Sequence, residues 1–219
     1  MDIVKYLGWS IPINDQFVKK HLKQFPINKY QKNVVNFVEQ LNLGRMLAID
    51  IGANIGTKSL QFSKIFKNVV SFEPVTVNFK CLTENCLYED NIKIYNVGLS
   101  NRNGTAIIQL SSEFSNHYGA FSIDKFIDRT DNAHSEKINI ECLDNYNLSP
   151  DLIKVDTESH EIYVLLGALE TIKRSYPVLI LEHSVKTVNP IEEILIPMGY
   201  KIQYSNNKDH VWIHEGDKK

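Results

Sequence analysis

Five short apolar runs separated by amphipathic stretches constrain this chain more than any other feature. Met46–Ile51, Val69–Phe72, Ile92–Val97, Leu152–Val155 and Val178–Leu181 each read as a buried strand. Between them, Thr57–Phe66, Thr76–Glu89 and Glu161–Arg174 carry helical periodicity. Strands alternating with helices build parallel βαβ units, because a parallel neighbour is reached only by a crossover. Tyr200–Tyr204 and Val211–His214 flank the polar turn Ser205–Asp209 and read as a terminal hairpin. The expected fold is an α/β Rossmann-like three-layer sandwich. Its sheet has seven mostly parallel strands, with the last strand inserted antiparallel.

The rest of the chain divides around this unit. Asp15–Phe25 and Lys29–Leu43 read as helices, the second with Gly44 as its C-cap, so residues 1–44 form a helical N-terminal segment and 45–219 the main domain. Thr105–Leu110 and Ile138–Cys142 are further short strands, and Ile191–Met198 is a helix that Pro197 must end. Ser111–Lys137 is polar and aperiodic, as expected of a lid or binding loop.

Composition narrows the function. A formal net charge of −2 argues against a binder that holds nucleic acid through bulk positive charge. Cys81, Cys86 and Cys142 match no zinc spacing and read as reduced thiols of a cytoplasmic protein. No signal peptide and no membrane-spanning run is expected.

The first strand runs into Asp50-Ile51-Gly52-Ala53-Asn54-Ile55-Gly56, a tight turn opening a helix. Gly52 and Gly56 let the backbone approach a ligand. Asn54 and Thr57 stand where a dinucleotide-binding GxGxxG pattern requires glycine, and Asp50 would repel a pyrophosphate. A carboxylate there suits a ligand with a cationic end. Glu73 follows Asp50 by 23 positions and ends the second strand, the place from which an acid receives ribose hydroxyls in nucleotide-binding units. Ligands of doubly wound sheets lie beyond the carboxyl ends of the strands. That rule collects Asp50, Glu73, Gly98, Asp156, Glu158, Glu182 and His183 along one edge. Three readings of the acids after the fourth and fifth strands stay open: a general base tuned by mutual repulsion, a magnesium or calcium site, or structural hydrogen bonding.

Taken in order, Ile49–Gly56, Phe72-Glu73-Pro74, Asn96–Ser100, Leu152–Glu158, Glu161–Ala168 and Pro177–Glu182 resemble the FkbM-type methyltransferase family from about Arg45 to Ile213. The resemblance implies a class I methyltransferase fold, S-adenosylmethionine as the donor, and O-methylation of a sugar, glycan or natural product as the usual activity. The ligand edge and the resemblance together suggest Asp50, Gly52, Asn54, Gly56, Glu73, Asn96, Gly98 and Leu99 for the cofactor. Asp156, Glu158 and His183 are then the catalytic candidates, with Ser159, His160 and Glu182 on the acceptor side and no resident metal. The chain departs from the family at Ser159, where glycine is usual after the acidic pair. Serine there costs strain if the position needs a positive φ. The rival readings are a NAD-dependent oxidoreductase, a nucleic-acid methyltransferase and a non-catalytic nucleotide-binding module. The second lacks its Asn/Asp-Pro-Pro-aromatic signature here, and oligomeric state is not legible.

Overall fold

The structure is a computed structural model and describes residues 2–13, 15–24, 32–110, 121–123, 135–182, 188–206 and 209–216. The chain opens on a hairpin of β1 (Ile3–Tyr6) and β2 (Trp9–Pro12), then α1 (Gln16–Gln24) and α2 (Lys32–Gln40). Next come β3 (Leu47–Ile51), α3 (Thr57–Phe62), β4 (Asn68–Phe72), α4 (Thr76–Asn85) and β5 (Ile92–Tyr95). β6 (Gly98–Leu99), β7 (Gly104–Leu110), β8 (Phe121–Ile123) and β9 (Ser135–Glu141) precede a 3₁₀ turn at Leu143–Tyr146. The last part holds β10 (Leu152–Val155), α5 (Glu161–Leu166), α6 (Leu169–Ser175), β11 (Val178–Glu182), α7 (Val188–Leu195), β12 (Tyr200–Ser205) and β13 (Asp209–His214).

The main sheet has seven strands in the order β12-β13-β11-β10-β3-β4-β5. β11, β10, β3, β4 and β5 run parallel. β13 is antiparallel to both β11 and β12, so the last strand is inserted as the hairpin signal predicts. The period of two along each strand sorts side chains to two faces. Ala48, Val69 and Leu152 pack with Val34, Val35 and Val38 of α2 and with Phe62. Ile51, Phe72, Val155 and Leu181 pack on the other face, with Val164, Leu165, Ile172, Ile191 and Leu195. Among the described residues no helix is long and apolar enough to cross a membrane.

Four details differ from the sequence reading. The N-terminal segment is helical only in part, because Leu7 (φ 49°) and Gly8 (φ 85°) close a two-residue turn that pairs β1 with β2. Two positive φ values in succession match the twist of a tight hairpin, and Leu-Gly is a weak signal for it. Second, β6, β9, β7 and β8 form their own four-stranded sheet in that order. The expected loop Ser111–Lys137 contributes to it: its described residues, 121–123 and 135–137, are strand. The rest of that loop, with His117 and His134, lies outside the described residues. Third, Gly44 caps no helix. Asp151 fills its space, since a Cβ there would lie 1.9 Å from Asp151 Oδ1.

Fourth, the helix expected from Glu161 to Arg174 is two helices broken at Gly167. At the break the backbone passes against the segment that leads out of β6: a Cβ on Gly167 would lie 1.9 Å from the Ser100 carbonyl oxygen. That neighbour is backbone and cannot swing away. Gly167→Ala is therefore expected to lower stability by roughly 1–3 kcal/mol in urea unfolding. An unchanged midpoint would mean that the break has another cause.

Candidate functional site

Two residues up the sheet from Ala48, Val69 and Leu152, the apolar face turns polar. Lys154, Asp50 and Ser71 stand side by side in register on β10, β3 and β4, and α3 covers them. Ser59 Oγ donates to Asp50 Oδ2 at 2.6 Å, and Ser71 Oγ donates to Ser59 Oγ at 2.8 Å. Lys154 Nζ lies 3.2 Å from Asp50 Oδ1 and 3.3 Å from Asp156 Oδ2, and donates to the Gly52 carbonyl at 3.0 Å. Asp50 is 0% exposed and Lys154 5%. Burial alone would push the Lys154 ammonium down, but Asp156 and Asp50 outweigh it and hold the charge above the ordinary lysine range.

The turn after β3 is built on this row. Gly52 takes φ 72° and Gly56 φ 94°. A Cβ on Gly52 would meet the Asp156 carbonyl oxygen at 1.8 Å, so only glycine lets the two strand ends meet. The backbone N–H groups of Gly52 and Ala53 both donate to Phe72 O at 3.0 Å. Asn54 (φ 52°) donates its N–H to Glu73 Oε2 at 2.8 Å. The other carboxylate oxygen of Glu73 accepts the Val75 N–H at 2.9 Å. Glu73 is 4% exposed, and burial pushes its carboxyl up to about 7 against the hydrogen bonds that hold the charged form. Asn54 Oδ1 is buried and accepts no hydrogen bond from the described residues.

The turn after β10 is strained. Glu158 (φ 53°) and Ser159 (φ 79°) are both left-handed, so the serine stands where a glycine would be free of strain. Glu161 holds it: Oε1 accepts the Thr157 N–H at 2.9 Å, the Ser159 N–H at 3.1 Å and the Thr157 hydroxyl at 3.2 Å. Burial raises the Glu161 carboxyl.

The edge acids expected to repel one another are thus interleaved with cations. Lys154 stands between Asp50 and Asp156. Lys58, 5% exposed on α3, has its ammonium pushed down to about 8 by burial, which the Asp209 carboxylate opposes most. Glu182 pairs in register with Asp209 at the far end of the same edge. Glu158 and Ser159 are exposed. His160 is 1% exposed, bonded to Ser100 Oγ at 3.0 Å and stacked on Tyr163. Asn96 Nδ2 donates to the carbonyls of Glu73 and Pro74, holding that turn. Gly98 and Leu99 are buried in β6, with Leu99 in the main core. His183 lies outside the described residues. Among those residues, no group of three or more His, Cys, Asp or Glu could hold a metal ion.

The sequence reading missed Lys154, Lys58, Glu161 and Asp209. A lysine inside the apolar run Leu152–Val155 was the available signal for the first, since a buried lysine requires an acid.

A family model described as the methyltransferase FkbM domain matches residues 50–202. The fold is similar to that of the methyltransferase FkbM from Methylobacillus flagellatus KT, with TM-score 0.57, 15% identity, and coverage of 86% of this chain and 47% of that one. The chain thus spans about half the length of that relative. It is also similar to magnesium protoporphyrin IX methyltransferase from Synechocystis PCC 6803, solved with S-adenosylmethionine (TM-score 0.51, 14% identity, 91% and 85% covered). The ribosomal protein L11 methylase of Lactobacillus delbrueckii subsp. bulgaricus gives TM-score 0.52 at 11% identity, with 85% and 77% covered. No curated protein matches the chain.

Two measurements test the site's electrostatics. Lys154→Met leaves Asp50 buried without its cation and is expected to cost roughly 3–5 kcal/mol in denaturant unfolding. Adding Asp50→Asn should recover much of that loss; a purely additive double variant would show that the two charges are not coupled. Glu73 gives a pH signature. A carboxyl raised in the folded state stabilises below its unfolded value and loses that contribution as pH rises through the folded one. The stability of the wild type relative to Glu73→Gln should therefore fall by roughly 3 kcal/mol between about pH 4.5 and 7. A difference independent of pH would mean that Glu73 ionises as an ordinary carboxylate.

Proposed function

The chain belongs to the FkbM methyltransferase family, and on that premise we propose that it transfers a methyl group from S-adenosylmethionine to a hydroxyl of a sugar, glycan or natural product. The observation that carries the reading is the turn between β3 and α3. Its glycines take left-handed conformations, and Asn54 offers a buried acceptor oxygen with no protein donor among the described residues. Such an oxygen fits a ligand that brings an ammonium group. The Glu73 carboxylate accepts two backbone N–H groups and the Asn78 side chain, which leaves it an acceptor position for a hydroxyl such as a ribose presents. Gly52 and Gly56 let the turn pack closely against the Asp156 carbonyl and against Leu82 and Cys86, which fixes its position at the strand end. Asp50 acts from behind the turn through Lys154, and Asn96, Gly98 and Leu99, which follow β5, are proposed for the adenine side.

When bound, S-adenosylmethionine supplies a methyl group on a cationic sulfur. The protein must hold the acceptor oxygen in line and take its proton. Asp156 is the group proposed for the proton. Its side chain is 28% exposed at the mouth of the edge while Lys154 fixes its position from below. Glu158 and His183 are proposed to assist it, and Ser159, His160 and Glu182 to face or shape the acceptor. Carboxylates and histidine suit a polyhydroxylated acceptor, whose hydroxyls they receive as hydrogen bonds. No resident metal enters this reading.

Calorimetry with S-adenosylhomocysteine, the demethylated product, tests the cofactor. The wild type should bind it and not NAD, and Glu73→Ala should weaken binding about ten- to hundredfold, the cost of unpaired ribose hydroxyls. Product release over a panel of glycosides tests the chemistry: Asp156→Asn should lower turnover roughly 10²–10⁴-fold with cofactor binding retained. Binding of NAD alone would overturn the function. Wild-type turnover by Asp156→Asn would remove Asp156 as the base.

A further inference from the structure

We propose that Asn85 is a positioning residue that ties the N-terminal hairpin to the glycine turn, which makes residues 3–24 part of the cofactor-binding unit. The inference rests on the cofactor reading above and on the hydrogen bonds of one side chain. Asn85 ends α4. Its Oδ1 accepts the Ser10 N–H at 2.7 Å, and its Nδ2 donates to the Ser10 carbonyl at 3.0 Å and to the Ile55 carbonyl at 2.8 Å. A single planar amide therefore takes both backbone groups of Ser10, as a neighbouring strand would, and reaches the glycine turn one residue before Gly56. Neither Ser10 nor Ile55 can shift without breaking a bond to the same rigid group.

Packing makes the same connection. Ile55, 3% exposed, shares an apolar cluster with Ile11 of β2, Leu22 of α1 and Cys81 of α4, and Ile3, Val4 and Trp9 pack around it. Ser10 is 0% exposed, and its hydroxyl donates to Glu84 Oε2 at 2.6 Å. Behind Gly56 there is no slack: a Cβ would lie 2.7 Å from Leu82 Cδ1 and 3.1 Å from Cys86 Sγ, both of the α4 region. The turn is thus gripped twice. Glu73 holds it at Asn54, and Asn85 with the hairpin holds it at Ile55. Coupling of this kind is reciprocal, so a ligand that orders the turn must also order the hairpin.

The test uses the full chain and S-adenosylhomocysteine. Asn85→Leu removes all three bonds and should weaken binding about ten- to hundredfold. Lys173→Ala removes only the exposed ion pair to Glu170 on α6 and should bind within about twofold of wild type. In the wild type, S-adenosylhomocysteine should slow amide exchange over Ile3–Pro12, and this measurement decides the matter if Asn85→Leu fails to fold. If wild type binds but exchange in the hairpin is unmoved, or Asn85→Leu binds as tightly as wild type, the inference fails and the cofactor reading stands. If wild type itself does not bind, the cofactor reading fails and takes the inference with it.

Discussion

Lys154 donates to the Gly52 carbonyl and lies within ion-pair distance of Asp50 and Asp156, so β3 and β10 share one buried charge where the chain leaves the sheet. The candidate site depends on this contact. The strand ends approach so closely that a Cβ at Gly52 would overlap the Asp156 carbonyl. Two carboxylates and a carbonyl oxygen crowded there would repel without a cation between them. The arrangement is not a source of stability in itself, because removing the Asp50 and Lys154 charges from water costs several kcal/mol per ion. What it secures is geometry. The ammonium fixes Asp156 from below and takes up the Gly52 carbonyl, which holds the turn in register against the end of β10.

The turns above this charge are held in one recurring way: a buried carboxylate accepts main-chain N–H groups across a break in secondary structure. Glu73 does this for Asn54 and Val75, and Glu161 for Thr157 and Ser159; at the opposite end of the strands the half-buried Asp151 accepts from Met46 and Leu47 in the same way. Charge-assisted bonds to N–H groups are among the stronger ones available. They offset the strain of the left-handed residues beside them: Asn54 near Glu73, and Glu158 with Ser159 near Glu161. Asparagine tolerates that conformation better than serine. The β10 turn is therefore the more strained of the two, and Glu161, two residues on, matters correspondingly more.

Much of this was legible in the sequence. The strand and helix order, the inserted last strand and the glycine turn follow from periodicity and from Gly, Asp and Pro at the strand ends. The missed features share a physical cause. Leu7 adopts a conformation that leucine seldom takes, so the first hairpin had no turn signature. Gly44 and Gly167 are required by neighbours distant in sequence, Asp151 and Ser100, which no local window contains. Lys154 interrupts an apolar run, and its meaning appears only when β3 and β10 are paired in register. Asp209 begins a strand that runs opposite to the rest, so the rule about carboxyl ends of strands did not include it. The rule puts Glu73 at the sheet edge by position, but its pinning bonds and raised carboxyl depend on a turn that spacing alone does not describe.

The order in which the strands are made has a consequence for the nascent chain. β11 is apolar and buried along Val178–Leu181, and its partner on one side, β13, follows every other strand of the seven-stranded sheet. During synthesis β10 can claim one edge of β11 at once, but the other edge stays open until Asp209–His214 have left the ribosome. A newly made β11 is thus an unpaired apolar edge, the kind that recruits strands from other chains. β12 emerges earlier and cannot take the place permanently, because β13 must come between them. Pairing of β12 and β13 is therefore the step that withdraws the growing sheet from contact with its neighbours.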